Sequence, residues 1–171
     1  AVLEQLRMMH PQVANFYTVA IETGLRPSEQ IALMWSDIDA EFRHLEVMRA
    51  KVLQQMKPPK TRAGRRRVTL SDAAAAALRH QLKLVGPSGF VFRDPNTNDP
   101  WKNDQALRKR YWQPALKRAG VAPRVPYQTR HTFASTLLSR GVPEIEVAHL
   151  LGHSSVAMVR ERYGRWIDLE K

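Results

Sequence analysis

A change of hydrophobic period partway along the chain constrains its fold more than any other feature. From Val2 to Thr23 the apolar residues Leu3, Leu6, Val13, Phe16, Tyr17 and Ala20 recur at the spacing of an α-helix. Between Ser36 and Leu70 the pattern shortens: Ile38, Leu45, Val47, Val52 and Val68 fall in brief alternating stretches divided by polar turns, the mark of small antiparallel strands. From Ser71 to Arg162 helical spacing returns. The order predicts a mainly α fold carrying a small antiparallel β-sheet, an α+β domain. A chain of 171 residues fits one such domain, in which roughly 70% of the unfolded surface is buried.

Punctuation divides the helical parts. Pro11 opens a second helix, Gly24 ends it, and Pro27 opens a third that is expected to run to about Trp35, leaving Arg26 in the joint. The segment KPPKTRAGRRRVTL (57–70) supplies the last turn and strand of the sheet. Ser71 caps a helix containing the alanine run Ala73 to Ala77. Residues Gly86 to Pro100 form the longest loop, with Phe90, Val91 and Phe92 as an apolar plug, and are the best candidate for a mobile segment. A basic helix follows from about Asp104 to Ala119, and three more helices occupy Tyr127–Arg140, Pro143–Leu151 and Ser155–Arg162.

Charge narrows the partner. Lysine and arginine number 27 against 16 acids, a formal net charge of +11. Such a field favours a polyanion, nucleic acid ahead of a membrane surface. With no cysteine, the chain has no disulfide, thiolate metal site or cysteine nucleophile. No apolar run approaches a membrane span, and the opening residues AVLEQLRMMH lack the pattern of a signal peptide. A cytoplasmic setting is expected. Because the chain opens inside a helix, it reads as a fragment of a longer protein.

Three stretches carry the chemistry: TGLRPSEQIAL around Arg26, YQTRHTFASTLL around Arg130, and LGHSSVAMVRERY from Leu151 to Tyr163. A fourth, KTRAGRRRV, begins at Lys60. In this order they resemble the tyrosine recombinase, or phage integrase, family, whose pattern is T-G-L-R-x-S-E, a hairpin lysine, H-x-x-R-H-T-F-A-T, L-G-H, and a tyrosine about ten residues later. The resemblance covers Thr23 to Tyr163 and implies the catalytic-domain fold of that family. It implies cleavage and rejoining of double-stranded DNA through a covalent 3′-phosphotyrosine link, with release of a 5′-hydroxyl and without metal or cofactor. It also implies integration or excision of a phage or mobile element, a tetramer on paired sites, and a separate amino-terminal DNA-binding domain that this chain lacks. Alone, such a fragment would bind weakly and could be monomeric.

Physical chemistry gives each residue a task. Phosphoryl transfer places extra negative charge on non-bridging oxygens, and planar guanidinium groups match those oxygens in pairs. Arg26 and Arg130 would form that clamp. A transition-state arginine is worth about 10³ to 10⁵ in rate. His153, between a helix ended by Gly152 and one capped by Ser154 or Ser155, is expected beside a helix N-terminus, donating to the phosphate. His149 lies four residues earlier, but Gly152 breaks the shared helical face that a metal pair would need.

Tyr163 follows Val156 by seven residues and Val159 by four, so spacing alone makes it a core residue. Only the resemblance makes it the nucleophile. Lys60, on a hairpin turn, would protonate the leaving oxygen, with nearby Lys57 as the competing choice. Tyr127 departs from the family pattern, standing where histidine is usual. A phenol donates well but accepts a proton poorly, so Tyr127 is assigned to phosphate binding and the general base is left open. His131 is turned about 100° from Arg130 and reads as structural. Glu29 reads as a carboxylate that orients a cation. The groups Arg62, Arg65, Arg66 and Arg67, with Arg108, Lys109, Arg110, Lys117 and Arg118, would track the DNA backbone.

Three rival functions share parts of this pattern. A type IB topoisomerase would use the same chemistry to relax supercoils, but the L-G-H and R-H-T-F-A segments favour the recombinase. Asp37, Asp39 and Glu41 alternate as if on one strand face, yet nothing nearby completes the two-metal site of a nuclease. A non-catalytic DNA-binding module would satisfy the charge alone.

Overall fold

In the computed structural model, residues 1–167 are described. Helix α1 (Val2–Met9) ends at His10, and Pro11 begins α2 (Pro11–Thr23) with the preset φ of a first helical residue. Gly24 closes α2 in the left-handed conformation, φ 66°. The two-helix reading of this region holds.

The third helix is shorter than its pattern suggests. Helix α3 spans only Pro27–Gln30, because the following residues leave the helix to bond with the plug. Val91 donates to the Leu33 carbonyl at 3.0 Å, Trp35 donates to the Gly89 carbonyl at 3.1 Å, and Met34 bridges Phe90. Strand partners thus replace the i−4 bonds that would have carried the helix to Trp35.

The strands are antiparallel as expected but form two ladders. Strand β1 (His44–Val47) pairs with β4 (Arg66–Thr69), setting Leu45 opposite Val68 and Val47 opposite Arg66. Strands β2 (Ala50–Val52) and β3 (Gln55–Lys57) make a separate hairpin. Its turn residues Leu53 and Gln54 take φ of 50° and 63°, the backbone that a tight two-residue connection needs.

Ser71 caps α4 (Asp72–Val85), its hydroxyl accepting from the Ala74 amide. The basic helix is one continuous helical run, α5 (Gln105–Leu107) and α6 (Gln113–Arg118), joined by a widened π turn at Arg108–Trp112. Pro114 has no N–H for the Arg110 carbonyl, and the helix widens at that point. Helices α7 (Gln128–Ser139), α8 (Glu144–Leu151) and α9 (Ala157–Tyr163) complete the fold.

Two apolar clusters hold these elements. The larger gathers Leu6, Phe16, Tyr17, Leu45, Val68, Leu78 and Phe92, with Tyr17 stacked on Trp112 at 4.5 Å. The smaller belongs to α7, α8 and α9, through Ala134, Leu138, Val147, Leu151, Val159 and Tyr163. Arg130 spans the seam between the two, bonding to the Gly24 carbonyl beside the larger cluster and to the Leu151 carbonyl of the smaller one.

Candidate active site

Arg130 sits in the first turn of α7 and is the largest side chain that the fold buries fully, 1% exposed. It crosses the seam. One terminal nitrogen donates to the Gly24 carbonyl at 2.6 Å, and the other donates to the Leu151 carbonyl and lies 3.3 Å from His153 Nε2. Gly24 is required for this arrangement: its left-handed backbone presents the carbonyl, and a Cβ there would fall 2.4 Å from the Phe133 ring. Burial, then the charges of Arg26 and Arg66, lower the Arg130 pKa to about 10. A buried guanidinium held by carbonyls and an imidazole is a site prepared for an anion.

Glu29 organises the opposite wall, as its reading as a cation-orienting carboxylate anticipates. Its carboxylate, buried in α3, accepts from the Arg26 backbone amide and guanidinium, each at 2.9 Å. It also accepts both terminal nitrogens of Arg66, at 3.0 and 2.9 Å. Burial alone would raise the pKa of Glu29, but the hydrogen bonds and charges of Arg66 and Arg26 outweigh it and hold the group below the usual carboxylate range.

Arg66 therefore requires a correction. Expected on the DNA-facing surface, it has a fully buried side chain that also donates to the carbonyls of Leu150 and Gly64. The reason is the strand period: Arg66 shares the inner face of β4 with Val68, while Arg65 and Arg67 point outward.

His153 follows Gly152, which ends α8 at φ 69°. A Cβ on Gly152 would lie 2.7 Å from an Arg66 nitrogen, so glycine is needed both for the backbone and for the fit. Because Arg130 donates to Nε2, the imidazole hydrogen resides on Nδ1, which is buried without a hydrogen-bond partner. Burial and the surrounding arginines, Arg130 first, depress its pKa to about 4, so the ring is neutral at physiological pH. The expected setting at a helix N-terminus is not observed. Helix α9 begins at Ala157 without a side-chain cap, and His153 is positioned instead by Gly152 and Arg130.

Arg26, Glu29, His153 and Lys60 line one cavity of about 610 Å³, and Lys57 lines it as well. Lys60 does not occupy the hairpin turn, which is Leu53–Gln54; it lies in the link from β3 to β4.

Tyr163 ends α9 and is 2% exposed in the smaller core. Its hydroxyl meets His131 Nδ1 at 2.5 Å. Burial raises its pKa more than Arg130 and Arg162 lower it, so the resting phenol is protonated. Tyr127, half-buried, stands edge-on to His131 with ring centres 5.3 Å apart. Helical spacing reads His131 as structural. The 100° turn from Arg130 that marked it as structural is what aims it at α9 while its neighbour faces Gly24 and Leu151.

The other basic residues divide by exposure. Arg62, Arg65, Arg67, Lys109, Lys117 and Arg118 are exposed. Arg110 pairs with Asp94 at 2.9 Å, and Arg108 is half-buried with its Nε enclosed. Two of the three alternating acids are committed elsewhere: Asp37 binds Arg49, and Asp39 accepts from the amides of Arg43 and His44. Among the described residues no His, Cys, Asp and Glu cluster could hold a metal, and no helix is long and apolar enough to cross a membrane.

Comparison with known proteins gives the family and the fold. The pattern of the Phage integrase family matches residues 6–167. The chain is 38% identical to the prophage integrase IntR of Escherichia coli K12, over 92% of its own length and 44% of that protein. It is 33% identical to the integrase of Salmonella phage P22, over 82% and 36%. It thus spans less than half of these relatives. Among solved structures, its fold matches the Tn1549 transposon integrase in complex with circular intermediate DNA, with a TM-score of 0.81 at 22% identity over 95% of this chain and 59% of that one. It also matches the XerA recombinase, with a TM-score of 0.75 at 21% identity over 99% and 56%. The chain belongs to the phage integrase family of tyrosine recombinases, and its fold is that of their catalytic domains.

Proposed function

We propose that this chain is the catalytic domain of a site-specific recombinase that cleaves and rejoins double-stranded DNA through a 3′-phosphotyrosine intermediate. The observation that carries the reading is Arg130, a buried cation bonded to carbonyls and His153, with Arg26 held by Glu29 on the wall of the adjoining cavity. A phosphodiester entering this seam would pair its negative charge with the Arg130 guanidinium. Arg26 and Arg130 bind its non-bridging oxygens, the Nδ1–H of His153 donates to one of them, and Tyr127 adds a phenolic donor nearby. Tyr163 Oη attacks phosphorus, the bond to the 5′ oxygen breaks, and Lys60 protonates that oxygen as it leaves. The chemistry needs no divalent metal.

The exposed Arg62, Arg65, Arg67 and Lys109 follow the DNA backbone, and Arg108 and Arg110 flank them. The names of the relatives support a role in integrating or excising a phage or mobile element. Assembly of four copies on paired sites is what the family resemblance implies. The test is a nicked suicide substrate carrying the recombination site. A covalent protein–DNA adduct forms, persists in chelator, slows in Lys60→Ala, and disappears in Tyr163→Phe. An adduct in Tyr163→Phe at the wild-type yield overturns the nucleophile assignment.

A further inference from the structure

The proton on Tyr163 must go somewhere, and the usual histidine position holds Tyr127, which accepts protons poorly. We propose that His131 is the base that takes the Tyr163 proton during cleavage and returns it when the strand is rejoined. The proposal rests on the reading of Tyr163 as nucleophile.

The geometry is direct. Tyr163 Oη and His131 Nδ1 are 2.5 Å apart, and the rings lie 5.5 Å apart at 56°. The phenol has a single hydrogen to donate, so Nδ1 accepts it and the imidazole carries its own hydrogen on Nε2. A base must be unprotonated to act. Burial, then the charges of Arg162 on α9 and Arg130 on α7, lower the pKa of His131. Among the described residues, the other titratable groups whose rings pack against it are Tyr163 and Tyr127, the latter edge-on. Trp166 also packs against Tyr163, with ring centres 6.0 Å apart and the Arg165 guanidinium over its ring.

The balance of the step is complete. As the Oη–P bond forms, the phenolic proton passes to Nδ1. The P–O5′ bond breaks, and the 5′ oxygen takes a proton from Lys60. The resulting imidazolium lies near two arginines and gives its proton back when the 5′-hydroxyl attacks and Tyr163 leaves. His131 touches a reacting atom and is thus catalytic, not merely a support for Arg130.

The test is the single-turnover rate of adduct formation by the full-length protein on the suicide substrate, across pH 5 to 9. For the wild type the rate rises below about 6.5, as the imidazole loses its proton, and is level between about pH 7 and 8.5. His131→Gln slows cleavage about 10²- to 10⁴-fold and abolishes that rise. His131→Ala is slow and is partly restored by added imidazole, which a purely structural role would not allow. Cleavage by His131→Gln at the wild-type rate and pH profile overturns the proposal while leaving Tyr163 as nucleophile. Faster cleavage in His131→Ala also overturns it, because His131 would then restrain Tyr163. If both variants misfold, the wild-type profile decides: a rate climbing with hydroxide throughout pH 7 to 8.5 rules His131 out. Adduct formation by Tyr163→Phe would instead remove the underlying reading.

Discussion

Replacing Arg66 with methionine tests whether the centre of the GRRR run belongs to the core or to the DNA surface. The side chain is fully buried, its partner Glu29 is nearly so, and two parallel hydrogen bonds of 3.0 and 2.9 Å join them. Removing one member of a buried pair leaves the other charge uncompensated, which costs about 3 to 5 kcal/mol. Arg26 still faces Glu29 but is a third exposed, so its compensation is weaker. With a urea dependence of about 1 to 3 kcal/mol per molar, the unfolding midpoint of Arg66→Met should fall by about 2 M. The double variant with Glu29→Gln should be less destabilised than the sum of the single ones, because the orphaned charge is gone. DNA binding gives the complementary readout: Arg65→Ala and Arg67→Ala each reduce the salt dependence by about one phosphate contact with little change in stability. A stable Arg66→Met whose binding shows the same reduction would refute the assignment of Arg66 to the core.

Gly152→Ala should destabilise the protein by at least about 1 kcal/mol, since a left-handed backbone meets a Cβ 2.7 Å from Arg66; a thermal melt unchanged from wild type contradicts this. His153 is kept neutral with a pKa near 4, below its unfolded value. The unfolded chain therefore binds more protons once the pH drops below about 6.5, and stability declines from there toward pH 4, a slope that His153→Asn should flatten in urea melts. Arg130→Lys keeps the charge but loses the planar fork, so cleavage should fall by about 10³ or more while duplex affinity changes little in a gel-shift assay. Lys60 and Lys57 are separated by a substrate with sulfur replacing the 5′ bridging oxygen, a leaving group that needs no proton: it should restore Lys60→Ala, and restoration of Lys57→Ala alone would transfer the role.

Much of the fold is readable locally. Pro11, Gly24, Ser71 and Gly152 act through backbone geometry and capping that neighbours supply, so the helix boundaries they mark are found where expected. The error at Pro27 has the opposite origin. Ile31 to Trp35 carry helical spacing, but the carbonyl of Leu33 and the amide of Trp35 bond to a loop more than fifty residues away. The strand period places Arg66 inside: Val68 is core, and a strand returns to the same face after two residues.

The sequence by itself determined the family, because the ordered motifs around Arg26, Lys60, Arg130, His153 and Tyr163 can be recognised from neighbours along the chain alone. Tertiary structure alone decided which atoms meet. Arg130 reaches carbonyls 106 and 21 residues away, Glu29 joins Arg66 across 37, and Tyr163 finds His131 across 32. Such contacts arise where two apolar cores close on a shared seam, and no local spacing encodes which polar groups will be enclosed there.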